Sequence, residues 1–298
     1  MEIRHLQYIN EIVRRSSFTK AAEALHITQP TISKMIKNVE NELNIELFNR
    51  EGKQVKLTDA GEAIYRHAGP ILQLFDNMMA EMNDLSYLHK GNIRIGLPPM
   101  AGSSFFPIVM KRFQERYPDI TVEMVENGAL KIEESVSDGS LDVGVVLSPI
   151  NEQLFHSYPF VDERLNVIMH PSHSLAQQKQ VTLSELAEDQ FILFSNEFAL
   201  HDRIIAECRL AGFEPNIVYE SSQWDFIREM VAADLGVAML PETICQTLDP
   251  DKVRVVTLIN PIIPWQLAMV WRRESYLSLA AKAWIAFTQE SFTTDKLK

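Results

Sequence analysis

At 298 residues the chain is long enough for two or three units with cores of their own, so no disulfide staple is required. Its 46% hydrophobic and 23% charged content describes an ordinary soluble polypeptide, and no run approaches the roughly 18 apolar residues that span a bilayer. A net charge of −12 argues against nucleic acid only if it is spread evenly, and it is not: residues 1–90 sum to −1 and residues 91–298 to −11, while 14–56 sum to +3. A locally basic module on an acidic body permits phosphate contacts at one end while the rest repels DNA.

The opening MEIRHLQYINEIVRR is charged at once and lacks the apolar core of a signal peptide. Cys208 and Cys245 form no metal or CxxC spacing and read as reduced core thiols. Both features lead to the expectation of a cytoplasmic protein without a membrane partner.

Residues 3–15 have the pattern of an amphipathic helix with Ile3, Leu6, Ile9 (or Tyr8) and Val13 facing inward. A second helix is expected over about 18–25, capped by Ser17, with Ala21, Ala22 and Ala24 allowing close approach of a neighbour. A third begins near Gln29 and Pro30, because proline is tolerated in a first turn where its missing N–H is no loss. Ile32, Ile36, Val39 and Leu43 recur at steps of 4, 3 and 4, one helical face. The other face carries Gln29, Thr31, Ser33, Lys34, Lys37 and Asn38, with no acid between Gln29 and Val39. Such a face suits a major groove, since polar side chains near a helix start meet base edges and lysines meet phosphates. It is also what an ordinary solvated helix presents. On the DNA reading, Thr19, Gln29, Pro30, Thr31, Ser33, Lys34 and Lys37 are the candidate contacts.

The segment IELFNREGKQVKLT reads as a hairpin entered by Leu47 and Phe48, turning at Glu51 and Gly52, and returning through Val55 to Leu57. A basic hairpin beside a recognition helix is a wing. Arg50 and Lys53 are its candidate phosphate or minor-groove contacts, and Lys56 is the weakest of the three.

Thr58 and Asp59 then cap a helix expected to reach about residue 88. Ile64, Ile71, Phe75, Met78, Met82 and Leu85 follow at steps of 7, 4, 3, 4 and 3, a seam that pairs helices between chains, with burial against the protein's own body as the alternative. Pro70 interrupts it and should bend the helix. Residues 89–92 form a polar break suited to a hinge.

From Ile93 the rhythm becomes strand, turn, helix. IRIGL, ITVEMVE and LDVGVVL are strand candidates separated by helical stretches, as in a parallel α/β sheet. LNVIMH, QFILFS, NIVYES, GVAMLP and VRVVTL form a second set, and WQLAMVW with a last helix over 276–292 returns to the first. The expected architecture is two α/β lobes (91–161 with 265–298, and 162–264) joined by crossing strands.

Ligands of such sheets bind beyond the carboxyl ends of strands. The candidate ligand contacts are therefore Pro99, Met100, Ser103 and Ser104 in one loop, Asn127, Gly128 and Ala129 in a second, and Ser195 and Phe198 in a third. Ser221 and Ser222 are weaker additions, and Arg203 is the candidate cation. Ser103 equally suits a helix cap, and Asn127-Gly128 simple turn chemistry.

No GxSxG, GxxxxGK[ST], HExxH or GxGxxG motif is present, so no catalytic residue, metal ligand or cofactor is assigned. His170 and His173 are the closest histidine pair, in a Pro-containing loop with no further ligand beside them.

The motifs have a family likeness. Leu6–Tyr8, then SFTKAAEALHITQPTISKMIKNVENELNIELFNR, then LTDAG at 57–61 closely resemble the amino-terminal domain of LysR-type transcriptional regulators, and the length and layout match to the C-terminus. The resemblance implies a winged helix–turn–helix domain over 1–58, with Arg50 matching the wing arginine. It implies a dimerisation linker helix and hinge over 59–90 and an effector-binding region over 91–298 resembling periplasmic solute-binding proteins. It further implies dimers assembled into tetramers, dyad-symmetric promoter DNA and RNA polymerase as partners, and activation with autorepression under a small-molecule effector, a small carboxylate being expected. Many family members have a hydroxyl where Ala129 falls, and its absence weakens the case for an anion. A cytoplasmic small-molecule-binding protein, or an enzyme on the same two-lobed fold, is the alternative.

Overall fold

The computed structural model describes residues 1–49, 55–86 and 91–294. It divides into two units, one of Met1–Ser86 with Asp138–Ser140 and one holding the remainder.

In the first unit, α1 (Ile3–Arg15), α2 (Phe18–Ala24) and α3 (Gln29–Leu43) surround an aliphatic core. Leu6, Ile9 and Ile12 are buried on α1. Ile12, three residues on from Ile9, takes the inward place expected of Val13, which packs half-buried at the edge, as Tyr8 does. Ser17 Oγ accepts from the Lys20 N–H at 3.3 Å and caps α2 as expected. The small Ala21 and Ala22 are buried where α2 meets its neighbours. Thr28 enters α3 in extended conformation and Pro30 occupies its first turn.

On α3, Ile32, Ile36 and Val39 are buried, but Leu43 is 37% exposed. The helix ends there, at a left-handed Asn44, and its last turn runs past the core. Glu40 takes the inward position instead. Its carboxylate accepts from the backbone N–H groups of Leu47 and Phe48, at 2.9 and 3.4 Å, at the entry to the wing.

The wing is β1 (Phe48–Asn49) antiparallel to β2 (Lys56–Leu57), with Phe48 opposite Leu57. Phe18 meets Phe48 edge-on at 5.3 Å, which ties the hairpin to α2. Arg50 and Lys53 lie outside the described residues. Thr58 Oγ1 donates to the Glu46 carbonyl at 2.6 Å and accepts from the Gly61 N–H at 3.1 Å, capping α4 (Asp59–Ser86). A Cβ at Gly61 would stand 2.1 Å from the Leu47 carbonyl oxygen, so glycine alone lets the first turn of α4 pass so close to the wing. Pro70 lies inside α4.

The second unit opens with β3 (Gly91–Leu97), so Gly91 and Asn92, expected in a hinge, already pair with Ile120 and Thr121. α5 (Pro99–Arg116), β4 (Ile120–Glu126), α6 (Ala129–Ser137) and β5 (Val143–Leu147) follow, and β4-β3-β5 is parallel. Next come β6 (Phe155–Met169), β7 (Gln180–Thr182), a 3₁₀ turn at Leu183–Leu186 and β8 (Gln190–Phe194). The chain continues through α7 (Ala199–Leu210), β9 (Asn216–Ser221), α8 (Trp224–Ala232), β10 (Ala238–Pro241) and α9 (Glu242–Cys245). It closes with β11 (Arg254–Asn260), β12 (Pro264–Arg272) and α10 (Leu279–Thr294).

Among the described residues an eight-stranded sheet runs β4-β3-β5-β12-β6-β11-β7, with β10 also on β6, and β8-β9 form a parallel pair. The sheet is mixed, not parallel as expected. β12 is antiparallel to both β5 and β6, and β6 is antiparallel to β10 and β11. β6 is the reason: nine residues of its first part, Phe155–Arg164, pair with β12, and Leu165–Ile168 pair with β10, so one strand serves both lobes. Alternation of apolar strands with helices carries no information on the direction of such a crossing strand. Trp284 of α10 packs edge-on to Phe113 at 4.9 Å and stacks over Phe106 at 6.3 Å, closing one face of the sheet. Among the described residues no helix is long and apolar enough to cross a membrane.

The Glu40 bonds make a local prediction. Glu40→Ala leaves two N–H groups at the wing entry without their acceptor and should lower stability by about 1–3 kcal/mol. Hydrogen exchange should speed up at the Leu47 and Phe48 amides; unchanged exchange there contradicts the assignment.

Candidate nucleic-acid interface and ligand cleft

Burial of Ile32, Ile36 and Val39 turns the other side of α3 outward. Gln29, Pro30, Thr31, Lys34, Lys37 and Asn38 are exposed and Ser33 is half-buried. The Gln29 amide donates to Ser33 Oγ at 2.9 Å, one turn on, and the hydroxyls of Thr28 and Thr31 are 2.8 Å apart. The start of the helix thus presents a prearranged set of donors and acceptors. Among the described residues neither Lys34 nor Lys37 enters an ion pair, and Thr19 is exposed near the start of α2.

Along α4 the expected seam divides. Ile64 is half-buried and packs against the core of the first unit. Ile71, Met78 and Met82 are 40%, 48% and 56% exposed, and Phe75 is half-buried. The Leu85 side chain lies outside what is described. Leu74 and Met79, which fall off the seam spacing, are 69% and 42% exposed and widen the apolar stripe.

In the second unit a cleft of about 420 Å³, counting its space open to solvent, lies where strand ends meet helix starts. Pro98, Pro99 and Met100 line it at the start of α5, Ala129 at the start of α6, and Phe194 with Phe198–Leu200 ahead of and into α7. Ser222 and Trp224 come from the entry to α8, and Leu147, Trp265 and Leu267 from β5 and β12. Pro99, Met100, Ala129 and Phe198 are therefore where the sequence places a ligand, and so is the weaker Ser222.

The remaining candidates sit elsewhere. Ser103 is exposed, inside the helix and not at its start, and its hydroxyl donates to the Met100 carbonyl at 3.2 Å; Pro98 holds the cap position. Ser104, Asn127 and Ser195 do not line the cleft, and Ser195 Oγ is buried without a hydrogen-bond partner. Gly128 is buried where a Cβ would stand 2.8 Å from the Glu197 carbonyl oxygen, so its role is close approach of two loops.

Arg203 is a correction of a different kind. Its guanidinium donates to the carbonyls of Pro264, at 2.8 Å, and of Ser148, joining α7 to the ends of β12 and β5. Burial pushes its pKa down, against the pull of Glu207. The guanidinium is a strut for the crossing strands, because those two carbonyls lie at the ends of paired strands and accept its hydrogen bonds.

Trp224, Trp265, Phe194, Leu147 and Leu267 were not anticipated. Leu267 and Trp265 sit on the inward-facing alternation of WQLAMVW, which is the one signal that pointed to them.

Among the described residues no group of three or more His, Cys, Asp or Glu is placed to hold a metal. His173 pairs through Nε2 with Asp189 at 3.0 Å, and His170 Nδ1 meets Ser172 Oγ at 2.6 Å. Burial, with Glu207 and Glu214 near Cys208 and Glu163 and Glu242 near Cys245, pushes both thiols up to about 12.

A winged helix–turn–helix with an exposed polar and cationic second helix, followed by a two-lobed α/β region with a cleft, defines a DNA-binding protein that carries a ligand-binding type of domain. Residues 3–62 match the bacterial regulatory helix-turn-helix protein, lysR family, and residues 88–293 match the LysR substrate binding domain. The chain is 55% identical to YwbI, an HTH-type transcriptional regulator of Bacillus subtilis strain 168, over 97% of this chain and 96% of the relative. Full-length OxyR from Pseudomonas aeruginosa superposes with a TM-score of 0.71 at 24% identity, covering 99% of this chain and 96% of that one. Full-length CbnR complexed with its target DNA gives 0.69 at 20% identity, covering 98% and 100%. The chain belongs to the LysR family of DNA-binding transcriptional regulators. Its matching families and relatives are regulators and not enzymes.

A thiol pKa of about 12 leaves Cys208 and Cys245 protonated at neutral pH. The native protein should therefore react slowly with a disulfide reagent such as dithiobis(nitrobenzoate) at pH 8, and both thiols rapidly once denaturant is added. A fast native phase contradicts this burial.

Proposed function

We propose that the chain is an effector-controlled transcription regulator that reads dyad-symmetric promoter sites as a dimer. Three parts divide the work: a DNA-binding domain over 1–58, a dimerisation helix and hinge over 59–90, and an effector-binding region over 91–298 with lobes 91–161 plus 265–298 and 162–264. The observation that carries the reading is the outward face of α3, where Gln29, Thr31, Lys34 and Lys37 are exposed and acid-free. Gln29, Thr31 and Ser33 meet base edges there. Lys34 and Lys37, with Thr19 and the wing residues Arg50 and Lys53, meet phosphate, and Pro30 sets the helix start.

The exposed Ile71, Leu74, Met78, Met79 and Met82 of α4 supply the pairing surface, since an apolar stripe of this width on a 28-residue helix needs a partner to exclude water. A small-molecule effector occupies the cleft and alters the spacing of the DNA-binding heads in a tetramer, and so the bend of DNA and the contact with RNA polymerase. Activation of a target with repression of the protein's own gene, in the cytoplasm, completes the reading.

Two variants test it. Lys37→Ala should weaken binding to specific and non-specific duplexes alike and reduce the slope of log K against log salt by about 1. An unchanged slope removes Lys37 from the phosphate contacts. Met78→Asp puts a charge into the stripe and should give monomers by light scattering with an unaltered circular dichroism spectrum. A dimer that persists places the pairing surface elsewhere.

A further inference from the structure

The lining of the cleft narrows the chemistry of what it takes. None of the residues bordering it carries a charge, and Ser222 is the single hydroxyl among them. Arg203, the cation expected there, has its guanidinium on the carbonyls of Pro264 and Ser148. An anion entering would shed its hydration with no cation to replace it. The start of α5 forms one wall, yet Pro98 and Pro99 there have no N–H, so this helix start offers fewer donors than one that receives an anion. Ala129, at the start of α6, adds a methyl group and no hydroxyl.

Among the described residues, two side chains at or next in sequence to the lining hold donors without partners. Trp265 borders the cleft and is 1% exposed, and its indole Nε1–H is buried with nothing to accept it. Ser195 Oγ, next in sequence to the lining Phe194, is likewise buried and unpaired. An indole N–H can only donate, so what satisfies it is an acceptor oxygen or nitrogen.

We infer that the ligand of this cleft is an uncharged, mainly apolar molecule bearing a hydrogen-bond acceptor that Trp265 engages. This rests on the cleft being the effector site, and it replaces the small carboxylate expected from the sequence. Leu147, Leu267, Phe198 and Trp224 surround the apolar body, and burial of that body supplies the affinity. The acceptor fixes orientation. A dicarboxylate or a phosphate ester finds no cationic side chain in the lining to pair with its charges.

The test uses acetophenone and benzoate, which match in size and differ in charge, together with succinate. Each is titrated into the full chain by calorimetry and by its tryptophan fluorescence. Acetophenone should bind at least about tenfold more tightly than benzoate, and succinate should give no signal. Trp265→Phe, which keeps a ring and removes the N–H, should weaken acetophenone and leave toluene, which has no acceptor, unchanged; equal loss for both removes Trp265 as the donor. Because that variant also thins the core, the wild-type comparison stands alone: benzoate binding as tightly as acetophenone, or no binding by either, overturns the inference. A thermal-shift screen of charged central metabolites separates the two failures. A charged metabolite that stabilises the wild type but not Ala129→Trp overturns the inference and keeps the cleft as an effector site, whereas no stabilisation by any compound sinks both.

Discussion

The burial of one aliphatic face of α3 is the interaction on which the DNA-binding unit depends. Ile32, Ile36 and Val39 are each at most 2% exposed, and such side chains contribute roughly 1.5–3 kcal/mol each relative to a solvated position. Turning the helix to hide Gln29 or Lys37 would forfeit that burial and strand polar groups in the core. The polar face is therefore outward by necessity, and its orientation is set before any DNA is present. Glu40 extends the same constraint to the wing, because its carboxylate holds the two backbone N–H groups at which the hairpin begins. Thr58 and Gly61 then bring α4 close against that entry. Reading helix, wing and long helix form one mechanical piece.

The second unit depends on a different constraint, the sharing of strands between lobes. β6 runs through both, and β12 pairs with it for nine residues. Arg203 secures the ends of β12 and β5 to α7. Between the helix starts, Gly128 lies so near Glu197 that a single methyl group would force the loops apart. A shared-strand floor and a close loop contact thus bound the cleft.

Much of this was legible in the sequence, and the parts that were not have physical reasons. The helices of the first unit followed from their apolar spacing, the Ser17 cap and the Pro30 start, and the strands of the second from short apolar runs. Ile12 in place of Val13 is a shift of one position, which a periodic pattern on a short helix does not fix. Leu43 was misplaced because spacing does not reveal where a core ends, and Glu40 was overlooked because a buried carboxylate needs partners that lie seven and eight residues away. Ile64 fitted the seam by spacing and yet lies within reach of the unit's own core. In the cleft, loop position identified Pro99, Met100, Ala129 and Phe198. Trp265 and Leu267 reach it through a crossing strand, a relation set by tertiary pairing and not by neighbours in sequence.

In the proposed mechanism α3 reads DNA as one of a pair. Selection of bound sites from random double-stranded DNA by the full chain, followed by sequencing, tests it most directly. The expected outcome is enrichment of two inverted half-sites whose centres lie a whole number of helical turns apart, about 10–10.5 base pairs or a multiple of it. Enrichment of a lone half-site contradicts the pairing through α4, and no enriched motif at all contradicts the reading of α3.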